Sequence, residues 1–85
     1  MKKVVFLRSA AGALLKHRNV ALRIREKIEA YAINPASLAN NVTELRGSPL
    51  KRLRVGDFRV LFEKTETEII VTRIGPRGLV YDGKV

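Results

Sequence analysis

Eighty-five residues suffice for one compact core but not for two, so a single domain over 1–85 is expected, without a separate substrate domain. The chain is 46% apolar and 29% charged, the composition of a folded domain, and with no cysteine it has neither a disulfide framework nor a thiolate metal site. Seventeen Lys and Arg against eight Asp and Glu leave a net charge of +9, with ten arginines among the seventeen. Arginine's planar fork grips a phosphate through two bonds and stacks on bases, so a nucleic-acid or acidic partner is expected.

Met1-Lys2-Lys3 followed by Val4-Val5-Phe6-Leu7 briefly imitates a secretion signal, but Arg8 ends the apolar run after four residues, short of the ~7 such a core needs. Val4 to Leu7 therefore reads as a first strand. No stretch approaches membrane-spanning length, and a cytosolic, cofactor-free protein is expected. Ser9 is a competent cap for a short helix over Ala10 to Lys16, built of good helix formers apart from Gly12. His17, the only histidine, falls at its end as a surface or cap residue. Asn19 can cap a second helix, in which Val20, Ile24, Ile28 and Tyr31 form one apolar stripe amid Arg23, Arg25, Glu26, Lys27 and Glu29. Asn34-Pro35 stops that helix, because proline cannot continue the ladder.

Residues Ala36 to Gly47 read as a connection in which Leu38, Val42 and Leu45 touch the core, before Gly47-Ser48-Pro49 turns the chain. Three strand runs follow, Leu50 to Val55, Phe58 to Lys64 and Glu68 to Ile74. Gly56-Asp57 between the first two suits a two-residue type II′ hairpin. That turn sets Val55 opposite Phe58, Arg54 opposite Arg59, Leu53 opposite Val60 and Arg52 opposite Leu61. Leu53, Val55, Phe58, Val60 and Phe62 then share an apolar face toward the helix stripe, and Arg52, Arg54 and Arg59 share the other.

Like charges directly opposed on a sheet are destabilising. At about 6 Å two unit charges repel by roughly 0.7 kcal/mol in water and about 3 kcal/mol at an effective dielectric of 20, so a bound polyanion is the simplest compensation. Ile69 and Val71 suggest that the arginine face is partly dry. In the tail Ile74-Gly75-Pro76-Arg77-Gly78-Leu79-Val80-Tyr81, the four-residue step from Arg77 to Tyr81 brings both side chains near the sheet. Together the runs predict an α+β domain, an N-terminal strand and two helices packed on a mainly antiparallel, twisted four-stranded sheet.

The order of Leu45-Arg46-Gly47, Leu53-Arg54-Val55-Gly56-Asp57-Phe58-Arg59-Val60, Ile74-Gly75-Pro76-Arg77 and Val80-Tyr81, behind a strand and two helices, resembles the RelE/ParE superfamily of toxins. The likeness spans nearly the whole chain, and within it the chain looks like the RelE branch, whose members cleave messenger RNA in the ribosomal decoding site. The ParE branch poisons DNA gyrase without cleavage. The resemblance implies a type II toxin acting as a ribosome-dependent endoribonuclease that inhibits translation. A gyrase inhibitor and a non-toxic basic binding module are the alternatives.

Carried over by position, it implies catalytic roles for Arg52, Arg54, Arg59, Arg77 and Tyr81, and RNA-binding roles for Arg46, Lys51 and Arg73. The base would be Tyr81, or Lys51 if it reaches. A free phenol near ~10 is a poor base at neutral pH, although neighbouring cations favour the phenolate, and stacking on a nucleobase is an equally good role for the ring. Many relatives carry a histidine where Pro76 stands, so an imidazole base is absent here, and the C-terminal helix of some members is missing. The implied partners are an acidic antitoxin, the ribosome and its messenger RNA, and operator DNA only through the antitoxin. No cofactor, metal or membrane is implied.

Overall fold

A computed structural model describes residues 2–77. The chain runs β1 (Lys3–Phe6), α1 (Arg8–Lys16), α2 (Arg18–Ile33), a 3-10 helix (Pro35–Asn41), β2 (Val42–Glu44), β3 (Leu50–Val55), β4 (Phe58–Lys64) and β5 (Glu68–Pro76). The five strands form one sheet in the order β1-β5-β4-β3-β2, parallel between β1 and β5 and antiparallel elsewhere. The α+β class is as the sequence predicts, but the sheet has five strands rather than four. The addition is β2, three residues inside the expected connection, paired to β3 from Val42↔Leu53 to Glu44↔Lys51. A three-residue edge strand is too short to show an alternating pattern.

The helices cover one face of the sheet. The expected α2 stripe is buried at Ile24, Ile28 and Tyr31, with Val20 half-buried at its start. It meets Leu53, Val60, Phe62, Ile69 and Val71, all 0% exposed, and the Tyr31 and Phe62 rings meet edge to face at 5.0 Å. Full burial of each such aliphatic or aromatic side chain contributes ~1.5–3 kcal/mol, and this layer holds the domain together. Among the described residues no helix is long and apolar enough to cross a membrane.

Both expected helix caps are displaced. α1 starts at Arg8 behind Leu7, which leaves Ser9 inside the first turn, and α2 starts at Arg18, which leaves Asn19 inside as well. Sheet register decides the first boundary: the Leu7 N–H donates to the Val71 carbonyl at 2.9 Å, so the helix begins one residue later. His17 forms the joint between the helices, outside the helical region at φ −114° and ψ 60°, with its ring edge-on to Phe58 at 4.9 Å. The Asn34-Pro35 stop is as expected, with Asn34 ending α2.

Candidate functional site

The helix-free face is built from the β3–β4 hairpin outward. Gly56 has φ +57° and Asp57 is not in the left-handed region, as a type II′ turn requires. The register follows as expected, with Val55↔Phe58, Arg54↔Arg59, Leu53↔Val60 and Arg52↔Leu61. Arg52, Arg54 and Arg59 therefore lie on one face. The tail is clamped to the same turn by the Arg77 N–H, which donates to the Asp57 carbonyl at 2.8 Å.

Arg59 is the centre of this group. Its Nη1 donates to the carbonyls of Gly56 at 3.1 Å and Phe58 at 3.0 Å, which holds the guanidinium against the hairpin. Its pKa is held below the ordinary arginine value, first by lost solvent and then by the charges of Arg77, Arg52 and Arg54, with Asp57 pulling the other way. Three of the other predicted catalytic side chains, Arg52, Arg54 and Arg77, are thus within electrostatic reach of Arg59. Tyr81, the fifth, lies outside the described residues.

The dry part of this face has a different origin from the one expected. Ile69 and Val71 are buried in the helix-side core, and the arginine face instead rests on Leu45 and Leu61 with half-buried Leu50. The cause is a bulge in the β4–β5 ladder, where Phe62 pairs with Val71 but Leu61 pairs with Arg73. The extra residue, Thr72, donates its hydroxyl to the Leu61 carbonyl at 3.3 Å. One inserted residue inverts the alternation. Arg73 is thereby moved onto the arginine face, in one row with Leu61 and Arg52, and Ile74 onto the core face.

Of the other predicted RNA contacts, Arg46 is exposed in the turn after β2. Lys51 does not join the arginines. It pairs with Phe62 and so faces the helix side, where its Nζ donates to Glu44 Oε2 at 2.9 Å and lowers that carboxyl's pKa. Sequence reading missed Arg23, which reaches from α2 to the hairpin, its Nη1 3.5 Å from where a Cβ on Gly56 would stand. A position beside Ile24 on the helix gives no hint of that reach.

Crowded cations should leave a mark on stability. Arg54 is exposed and stands directly opposite Arg59. Arg54→Ala is expected to stabilise the free protein by about 0.7 kcal/mol in low salt, the repulsion of two charges at about 6 Å in water, and by much less at 1 M salt where screening removes it. Thermal melts of both proteins at two ionic strengths check this. Equal midpoints at low salt would mean that the face is already solvated.

This chain has relatives in sequence and fold. Residues 3–81 match the family model described as ParE toxin of type II toxin–antitoxin system, parDE. A chain in the crystal structure of the archaeal RelE–RelB complex from Pyrococcus horikoshii OT3 is 23% identical, with a TM-score of 0.75 over 93% of this chain and 98% of that one. A chain in the RelB–RelE antitoxin–toxin complex from Methanococcus jannaschii is 27% identical, with a TM-score of 0.67 over 95% of this chain and 99% of that one. No curated protein matches the sequence. With a family match running from the first strand into the tail, on a sheet shared with RelE-like folds, the chain belongs to the ParE toxin family, a type II toxin of the RelE/ParE superfamily.

Proposed function

We propose that this toxin is a ribosome-dependent endoribonuclease that cuts messenger RNA in the decoding site. The observation that carries the reading is the gathering of Arg52, Arg54, Arg59 and Arg77 around one partly desolvated guanidinium on the open face. The reaction is metal-free transesterification. The RNA 2′-oxygen attacks the adjacent phosphorus, its proton passes to a base, and the bond to the 5′-oxygen breaks as that oxygen takes up a proton. The products are a 2′,3′-cyclic phosphate and a free 5′-hydroxyl.

Two arginine forks neutralise the charge that builds on the equatorial oxygens, the contribution usually largest at such sites. Arg59 is already fixed by its backbone hydrogen bonds, so little reorganisation is needed. Tyr81 is the base or stacks on the target nucleobase, and Arg73 and Arg46 hold flanking phosphates. Lys51 is turned to the helix side, which leaves Tyr81 as the candidate for the base role. The ribosome supplies the attack-ready geometry of the message, so only weak activity on free RNA is expected. Translating ribosomes incubated with the purified protein, followed by mapping of message ends, test this: cuts at decoding-site positions are expected, and intact message at saturating protein overturns it.

The family match to ParE toxins favours a second reading, gyrase inhibition without chemistry. Loss of supercoiling activity with intact message is its signature. Unimpaired growth on induction would instead indicate a non-toxic basic module.

On either toxin reading an acidic antitoxin is the partner, and we assign it a groove on the outer side of α1 and α2. This hollow of about 490 Å³ is floored by Leu14 and Ala21, with Leu15 72% and Leu22 68% exposed and Arg18 and Arg25 at its rim. An apolar strip between cations fits an amphipathic helix with flanking carboxylates. Leu22→Glu is expected to weaken binding of the antitoxin co-expressed with this chain by 10- to 100-fold in titration calorimetry, without loss of ribosome-dependent cleavage. Unchanged affinity would place the antitoxin helix elsewhere.

A further inference from the structure

We propose that the cleft between α1 and the end of β5 is a second phosphodiester-binding subsite, which seats the nucleotide next to the one on the arginine face. The proposal rests on the RNA-binding reading above, but not on cleavage. β1 accompanies β5 only from Glu68 to Val71, and past that point α1 lies beside the strand. The two elements leave a hollow of about 270 Å³, lined by Ser9, Gly12, Lys16 and His17 of the helical layer and by Arg73 and Pro76 of the strand, among others. Among the described residues no carboxylate lines it. Two permanent cations, an imidazole and a hydroxyl around one unopposed concavity favour an anion.

Its position makes that anion part of a longer chain. Arg73 sits in one row with Leu61 and Arg52 on the arginine face, and it also lines the cleft. A second hollow, of about 430 Å³, holds Ser9 and Arg73 together with Leu50, Leu61 and Thr72. Arg73 and Ser9 thus stand at the boundary of both, and among the described lining residues a strand leaving the arginines crosses the β5 edge without meeting a negative charge. The volume suits a phosphate with its ribose and is below the ~300 Å³ at which sites for whole drug-sized ligands begin.

Gly12 adds an independent sign. A glycine inside a helix costs roughly 0.5–1 kcal/mol relative to alanine. Among the described residues nothing lies within 4 Å of where its Cβ would stand, so their packing does not demand a glycine. What the missing side chain does is keep the cleft clear.

The test uses two non-cleavable 2′-O-methyl RNAs, a trimer and an octamer, with fluorescence anisotropy at two salt concentrations. Gly12→Leu fills the cleft while keeping every cation and improving helix propensity, so a melt at or above the wild-type midpoint is its folding control. Lys16→Ala removes one charge from an exposed position. Each variant is expected to weaken octamer binding by about tenfold, with trimer binding unchanged. Lys16→Ala should also lower the slope of log affinity against log salt by about 0.7, the value for one phosphate on a single strand. Octamer binding equal to wild type in both variants overturns the proposal, as does an absence of RNA binding by the wild type. If inorganic phosphate shifts the Gly12 and His17 amide resonances but both variants bind octamer normally, the cleft takes a free anion only, and the proposal falls. Weakened octamer binding with intact message on ribosomes supports the subsite while refuting the nuclease. Mapped message cuts with variants that bind normally do the reverse.

Discussion

Arg59→Ala is expected to lower ribosome-dependent cleavage by roughly 10²–10³-fold while leaving the fold in place. The rate effect is that of deleting one preorganised donor from a site where negative charge develops. Arg59 is the strongest candidate for so large an effect because its guanidinium is already oriented by the Gly56 and Phe58 carbonyls and partly desolvated. Stability should change little, because two opposing terms are removed together. The lost hydrogen bonds are worth about 0.5–1.5 kcal/mol each, and relief from the charges of Arg77, Arg52 and Arg54 offsets them. Arg59→Lys should rescue poorly, since a point charge lacks the fork that spans two phosphate oxygens. Single-turnover cleavage on programmed ribosomes and a thermal melt of the same preparations separate the outcomes. Activity lost together with the melt would assign Arg59 to folding instead.

Tyr81→Phe keeps the ring and removes the hydroxyl, so it distinguishes the two roles proposed for this side chain. As general base, the phenol contributes about 10²–10⁴-fold, and the variant should fall by at least ~10². Removal of a general base also alters how cleavage depends on pH, so the profile of the variant should differ from that of the wild type. Near-normal activity in Tyr81→Phe with loss in Tyr81→Ala would make the residue a stacking platform. Rates measured from pH 6 to 9 with all three proteins decide between them.

The arginine face was legible because a two-residue turn leaves a hairpin no freedom of register. Once Gly56-Asp57 is read, Arg54 must oppose Arg59, and it does. The helix stripe was legible for a related reason, since Ile24, Ile28 and Tyr31 repeat with the period of the helix itself. What escaped is what local pattern does not encode. Ser9 and Asn19 are good caps by chemistry, but a hydrogen bond from Leu7 to a strand more than sixty residues away sets the first helix boundary. The fate of Lys51 followed from its alternation with Arg52 and Arg54, which assigns it to the opposite face, and Glu44 on the unrecognised β2 holds it there.

The bulge at Thr72 had a visible sign that alternation alone cannot interpret. Ile69, Val71 and Ile74 step by two and then three, which only an inserted residue reconciles with one buried face. Without it Arg73 would point into the core, and the arginine face would lose the residue that leads over the sheet edge.

The parallel ladder between β1 and β5 joins the start of the chain to a strand that ends at residue 76. During vectorial synthesis, β1 and the helices that follow it emerge with their sheet partner still unmade, and local helical contacts form well ahead of this long-range pairing. Arg77 reaches its place against Asp57 only after that strand has docked. In a copy still being synthesised, Arg77 is therefore apart from Arg52, Arg54 and Arg59 until β5 has paired, and the cationic face is the last part of the described fold to be completed.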